Sequence, residues 1–256
     1  MKIENLQSHN YSEESEEAAG EKTRLEQELV ASIEELLATE KHKIGEGRTA
    51  EVYYPDHNDS VCYKLIQKIE TFGKGVPLRY QKAQKHDRPF YNPLIKEGEF
   101  LATLKNAHTE VGVPIPHVAV SMSCTEEGNS YWVTEHIEGL LMQRLKNCST
   151  IREIMEGELP LPETFDLEKC FRALHEFVKE MHKKNIFHRD LHDGNVMIDL
   201  KTGKAYVIDF GASIFATEED AYRDETGDKA TVYIRDEENL DKTERLLRQY
   251  LTKAKQ

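Results

Sequence analysis

The chain has 256 residues, a hydrophobic fraction of 38% and a formal net charge of −13 at pH 7, enough length and apolar content for one large domain or two small lobes. The acidic balance speaks against nucleic acid as a partner, because binding a phosphate backbone draws on a cationic surface. No window nears the roughly 18 consecutive apolar residues of a membrane helix, the start MKIENLQSHN lacks a secretory leader pattern, and Cys62, Cys124, Cys148 and Cys170 include no C-x-x-C pair. A cytoplasmic protein with reduced thiols, no zinc site and no membrane span is expected, a secreted effector being the other possibility.

Residues 1–40 carry eleven glutamates against three Lys or Arg, a net −8. The first twenty, with the run SEESEE, are too poor in large apolar groups to offset the entropy of ordering, and the sequence predicts disorder there. Leu25, Leu29, Ile33, Leu36 and Leu37 then recur at helical spacing, so the acidic arm of 1–40 is read as disordered and then helical. Glu51-Val52-Tyr53-Tyr54 and Val61 to Ile66 read as the two strands of a hairpin. Residues 65–96 form a basic insert, net +5, whose Gly73, Gly75, Pro77, Pro89 and Pro93 predict mostly irregular backbone.

A helix is predicted from about Leu94 to Lys105 with Phe100, Leu101 and Leu104 inward, then strands from His117 to Cys124 and from Tyr131 to Glu135. Glu138-Gly139 is read as the link to the second half. There the sequence predicts a helix from about Asp166 to Lys184 with Asp166 as N-cap. Short strands Val196 to Ile198 and Ala205 to Ile208 follow, and a final helix from about Glu237 to Lys253 packs through Leu240, Leu246, Leu247 and Leu251.

Four motifs carry chemistry. Ile44-Gly45-Glu46-Gly47-Arg48-Thr49-Ala50-Glu51-Val52 fits G-x-G-x-x-[GA]-x-V; Gly45 and Gly47 let backbone N–H groups approach phosphate oxygens, and Ile44 and Val52 are placed to cover an adenine face. A G-x-G turn between strands is common without a ligand. Lys64 ends an apolar strand segment, where a buried ammonium needs a counter-charge. Glu97 on the next helix is the chosen partner over Glu99, because it shares a face with Leu101 and Leu104. His188-Arg189-Asp190-Leu191-His192-Asp193-Gly194-Asn195 supplies a carboxylate able to accept a hydroxyl proton and, five residues on, an amide oxygen able to bind Mg²⁺. Ile208-Asp209-Phe210-Gly211 delivers a further carboxylate at the end of an apolar strand.

Together these resemble a eukaryotic-type protein kinase over roughly residues 44–211, with H-R-D-L-x-x-x-N and D-F-G included. The resemblance implies an α+β, two-lobed protein-kinase-like fold. Its antiparallel-sheet N-lobe with one helix spans 41–138, and its reduced, mainly helical C-lobe spans 139–256. It implies ATP and Mg²⁺ as cofactors, Gly45 and Gly47 over the phosphates, and an ion pair between Lys64 and Glu97. Glu135 to Ile137 become the adenine-reading hinge, with Thr134 limiting the back pocket; Asp190 is the catalytic base, and Asn195 and Asp209 are the metal ligands.

Two departures bear on the acceptor. His192 stands where serine/threonine kinases place a lysine, and D-L-H-x-G-N is similar to aminoglycoside- and choline-kinase-like phosphotransferases that act on small molecules. Arg189 and the glycine loop point back to protein kinases. Only 47 residues follow Asp209, without Ala-Pro-Glu, as in compact atypical kinases of the RIO type and short bacterial effector kinases. The expected activity is a protein serine/threonine kinase, with a partner protein completing substrate recognition through the basic insert. A small-molecule kinase and an ATP-binding ATPase or scaffold are the alternatives.

Overall fold

The computed structural model of the chain describes residues 2–11, 27, 30, 31, 33, 43–46, 50–54, 59–74, 92–157, 159–215 and 230–253. The backbone divides into a first unit of residues 1–99 and 115–144 and a second of residues 100–114 and 145–256. Elements are numbered in chain order. No helix among the described residues is long and apolar enough to cross a membrane.

The first unit is an antiparallel six-stranded sheet, with β1 (Lys2–Asn10) at one edge. Next to it lie β6 (Pro116–Glu127), β7 (Tyr131–Gln143), β4 (Val61–Gly73), β3 (Glu51–Tyr53) and β2 (Lys43–Glu46), in that order. The predicted hairpin is present, with Val52 opposite Lys64 and Tyr53 opposite Tyr63. Alternate residues of the strands supply the core, including Tyr53, Tyr63, Leu65, Val118, Val120, Ile137 and Leu141. Ile33, in a helical conformation and fully buried, packs on this face, where Gly139 leaves room: a Cβ there would lie 2.6 Å from Ile33 Cδ1. Leu25, Leu29, Leu36 and Leu37 of the predicted amphipathic face lie outside the described residues. Helix α1 (Leu94–Leu104) begins in this unit, with Leu94, Phe100, Leu101 and Leu104 buried.

The structure departs from the sequence expectations in three places. Residues 2–10 are not disordered: they pair antiparallel with β6, Lys2 opposite Thr125 through Asn10 opposite Val118. A sheet edge satisfies backbone groups whatever the side chains, so a polar segment can be ordered by its ladder. The basic insert is regular as far as Gly73, because β4 continues along β7; residues 75–91 lie outside the described residues. Glu135 to Gly139, expected to follow a strand, belong to one. They lie inside β7, with Glu135 between Ile69 and Cys124 and Ile137 between Gln67 and Met122, so the ladders to β4 and β6 flank them on both sides. Thr134 sits in the same strand, facing Thr125 across the ladder. The first unit instead extends to Arg144.

The second unit holds a four-stranded sheet of β5 (Val111–Gly112), β11 (Ala205–Val207), β10 (Val196–Asp199) and β8 (Cys148–Thr150), and a two-stranded pair of β9 (Ile186–Phe187) and β12 (Ile214–Phe215). Its helices are α2 (Ile151–Gly157), α3 (Leu167–Lys183) and α4 (Ala230–Lys253). Asp166 caps α3 as predicted, its side chain accepting from the Lys169 N–H at 3.0 Å. Cys170, Phe171, Leu174, Phe177, Val178 and Met181 form the buried face of α3. Helix α4 starts seven residues earlier than predicted and packs through Leu240 and Leu247, whereas Leu246 is exposed. Its buried positions step by four, three and four, and Leu246 falls off that stripe. All four cysteines are free, and burial pushes the Cys62 and Cys170 thiols up to about 12.

Candidate active site

In the first unit, Lys64 projects from β4 and its ammonium donates to both carboxylate oxygens of Glu97, each at 2.8 Å. Lys64 is 7% exposed and Glu97 2%, so both charges are largely out of water, where a bonded counter-charge offsets the cost of burial. The helix bearing Glu97 is held where it starts. Glu138 of β7 accepts from the Leu94 N–H at 2.6 Å, a carboxylate at a helix N-terminus as the dipole favours, and burial holds that carboxyl above its ordinary pKa. Tyr11, just after β1, donates its hydroxyl to the Ile95 carbonyl.

Gly45 lies opposite Val52 across the β2–β3 pair, after an irregularity in register at Lys43/Gly45. Among the described residues, a Cβ on Gly45 would meet Val52 alone, at 3.8 Å. Ile44 is 45% exposed and Val52 half-buried. Gly47 lies outside the described residues.

In the second unit the loop from His188 to Asn195 is pinned from beneath. Asp236 of α4 is fully buried and accepts from the N–H groups of His188 and Arg189, at 2.8 Å each, and from His182 Nε2 at 3.1 Å. His188, also fully buried, donates from Nε2 to the Ile208 carbonyl at 3.0 Å, which leaves Nδ1 to accept from the Asp190 N–H at 3.3 Å. One imidazole therefore ties the residue before Asp209 to the backbone of Asp190. Asn195 completes the frame: its side-chain nitrogen donates to the Asp190 carbonyl at 2.8 Å, and its own carbonyl accepts from the Ile208 N–H at 3.0 Å. With its nitrogen so engaged, the amide oxygen of Asn195 is the atom left to bind a metal.

Arg189 (φ 66°) and Asp209 (φ 62°) both hold left-handed backbone, a costly conformation for non-glycine residues that surrounding bonds must maintain. Arg152 reinforces the loop from α2, its guanidinium 2.7 Å from Asp193. Burial opposes ionisation of Asp193, but the Arg152 hydrogen bond and charge outweigh it and hold the carboxyl below its usual range. His192 accepts from the Gly194 N–H through Nδ1 at 2.9 Å, which directs Nε2 to within 3.8 Å of the Asp190 carboxylate.

The structure thus brings Lys64 to Glu97 and Asp190 to Asn195, and joins the Asp209 strand to the same loop. Asp236, Glu138 and Tyr11 were missed. Asp236 stands in the charged run Arg235-Asp236-Glu237-Glu238, but it precedes Leu240, Thr243 and Leu247 on one buried stripe, and that spacing was its signal. Glu138 and Tyr11 act through partners distant in sequence and left no local mark.

A family model described as "Protein kinase domain" matches residues 38–234. The chain is 29% identical over 180 residues to the serine/threonine-protein kinase PknD of Chlamydia muridarum, covering 64% of this chain and 18% of that protein. It is 35% identical over 75 residues to the serine/threonine-protein kinase prk-2 of Caenorhabditis elegans, 29% of this chain and 17% of that one. A 3-deoxy-D-manno-octulosonic acid kinase of Vibrio parahaemolyticus is 30% identical over 115 residues, covering 45% and 41%. The chain therefore spans less than half the length of each of these relatives. With the family model covering most of its length, from ahead of the glycine loop into α4, the chain belongs to the protein kinase domain family of phosphotransferases.

Proposed function

We propose that the chain is an ATP- and Mg²⁺-dependent phosphotransferase that transfers the γ-phosphate of ATP to a serine or threonine hydroxyl of a protein. The observation that carries this reading is the loop in which Asn195 and Asp190 are bonded to each other and both are fixed, through His188 and Ile208, to the segment that leads from β11 into Asp209. Such rigidity is what positioning and electrostatic catalysis need, since phosphoryl transfer leaves a protein little covalent chemistry to do.

The residues fit the groups they would hold. Asn195 and Asp209 offer hard oxygen ligands of the kind Mg²⁺ takes. Mg²⁺, when bound, supplies the positive charge that offsets the phosphate oxygens. Lys64, bonded to Glu97, is the cation for the α- and β-phosphates, and the glycine motif of Gly45 and Gly47 is the part of the sequence assigned to them. Ile44 and Val52 supply apolar surface for the base. Asp190 accepts the proton of the acceptor hydroxyl as its oxygen bonds to the γ-phosphorus and the bond to the β–γ bridging oxygen breaks, leaving ADP.

A protein acceptor is supported by Arg189, by the glycine loop and by the serine/threonine-protein kinases among the relatives. A small-molecule acceptor is the second reading, favoured by His192 beside Asp190 and by the relative named as a sugar-acid kinase. Incubation with γ-labelled ATP and Mg²⁺, together with a generic protein substrate and a panel of hydroxylated metabolites, separates the two. Label on serine or threonine of protein is the expected result. Label on a metabolite alone overturns the protein acceptor, and label found only as free phosphate overturns both.

A further inference from the structure

We propose that Tyr11 is a positioning residue for the Lys64–Glu97 pair, and that residues 2–11 form a clamp built into the chain that holds α1 in its paired position. Tyr11 is 9% exposed. Its backbone N–H donates to the His117 carbonyl at 3.0 Å, continuing the β1–β6 ladder, and its hydroxyl donates to the Ile95 carbonyl. Its ring lies against Gly98: a Cβ on that glycine would come within 2.2 Å of the ring. Residues 95 and 98 are neighbours on one helix face, three apart, so Tyr11 grips α1 on both sides of Glu97 in sequence. Burial and the nearby carboxylates of Glu99 and Glu97 hold the phenol well above its ordinary pKa, which keeps the hydroxyl a donor.

The geometry gives this grip a consequence. Lys64 belongs to β4 and Glu138 to β7, and β1 is joined to β7 through β6 in the same sheet. The helix is thus fastened to one sheet at Leu94 by Glu138, at Ile95 and Gly98 by Tyr11, and at Glu97 by Lys64. A buried ion pair depends steeply on geometry, and a small rotation of α1 would separate it. Gly98 also disfavours a helix relative to Ala, and room for the Tyr11 ring explains its presence. The catalytic consequence rests on the phosphotransferase reading; the grip on the helix does not.

The test compares the full chain with Tyr11→Ala, Tyr11→Phe, Gly98→Ala and the Tyr11→Ala/Gly98→Ala double variant, by amide hydrogen exchange and by ATP turnover. Tyr11→Ala is expected to speed exchange in α1 about tenfold or more, with β4 and β7 unchanged, and to lower kcat by a similar factor, as loss of one bond and its packing implies. Tyr11→Phe, which keeps the ring, should fall between. Gly98→Ala should resemble Tyr11→Ala, and the double variant should be no worse than Tyr11→Ala alone, because no ring remains to clash. Unchanged exchange in α1, a uniform rise across the whole sheet, or a loosened helix with unchanged kcat each overturn the proposal. If Tyr11→Ala fails to fold, Tyr11→Phe and Gly98→Ala decide it. A wild-type chain that turns over no ATP sinks the phosphotransferase reading instead, and the exchange comparison then decides the clamp on its own.

Discussion

At the residue scale, Asp236 has the widest reach in the second unit: three donors converge on one fully buried carboxylate. Two of those donors are the N–H groups of His188 and Arg189, and Arg189 is held at positive φ, so Asp236 both satisfies buried backbone and maintains a strained turn. Asp236→Leu leaves buried donors unmet at about 1–3 kcal/mol each, and is expected to lower the unfolding midpoint in urea and abolish turnover. Asp236→Asn keeps one oxygen acceptor and should lie between that variant and wild type on both measures. Equal stability of Asp236→Leu and wild type would contradict this role.

At the element scale, what could be read from sequence depended on whether the determining contact was local. Helix α3 was legible to within a residue at each end, because an amphipathic repeat and an Asp N-cap are both local signals. Asp166→Ala is accordingly expected to cost about 1 kcal/mol, read as a lower thermal midpoint with turnover unchanged. No change in the midpoint would mean that the cap contributes nothing. Strand β1 was not legible, since the sequence of residues 2–10 is polar and its order comes from the edge of β6, more than a hundred residues away. The length of β7 was misread for a related reason. Glu135, Glu138 and Gly139 look like a strand end, yet Glu138 is used to cap α1 and Gly139 to admit Ile33, both non-local needs.

For the molecule as a whole, the motifs of the protein kinase domain were the most legible part and the residues that hold them in place the least. Lys64 and Glu97 were paired from a strand pattern and a helix face, and they are bonded at 2.8 Å. Asp190, Asn195 and Asp209 were singled out because their spacing is local within two short segments; the buried side chains of His188 and Asp236 that fix those segments emerge only from the fold. The end of β7 was misplaced because a β-rich run carries no mark of where its ladder stops, and β7 extends six residues beyond Ile137. On the proposed function, the Asp190 carboxylate drives phosphoryl transfer from ATP. The most direct test of that role is turnover of γ-labelled ATP with Mg²⁺ by wild type and Asp190→Asn, with nucleotide affinity measured alongside. Asp190→Asn is expected to lose about a hundredfold or more in turnover, the range of general-base catalysis, with ATP affinity kept. Equal turnover by the two proteins, or none by wild type, would contradict it.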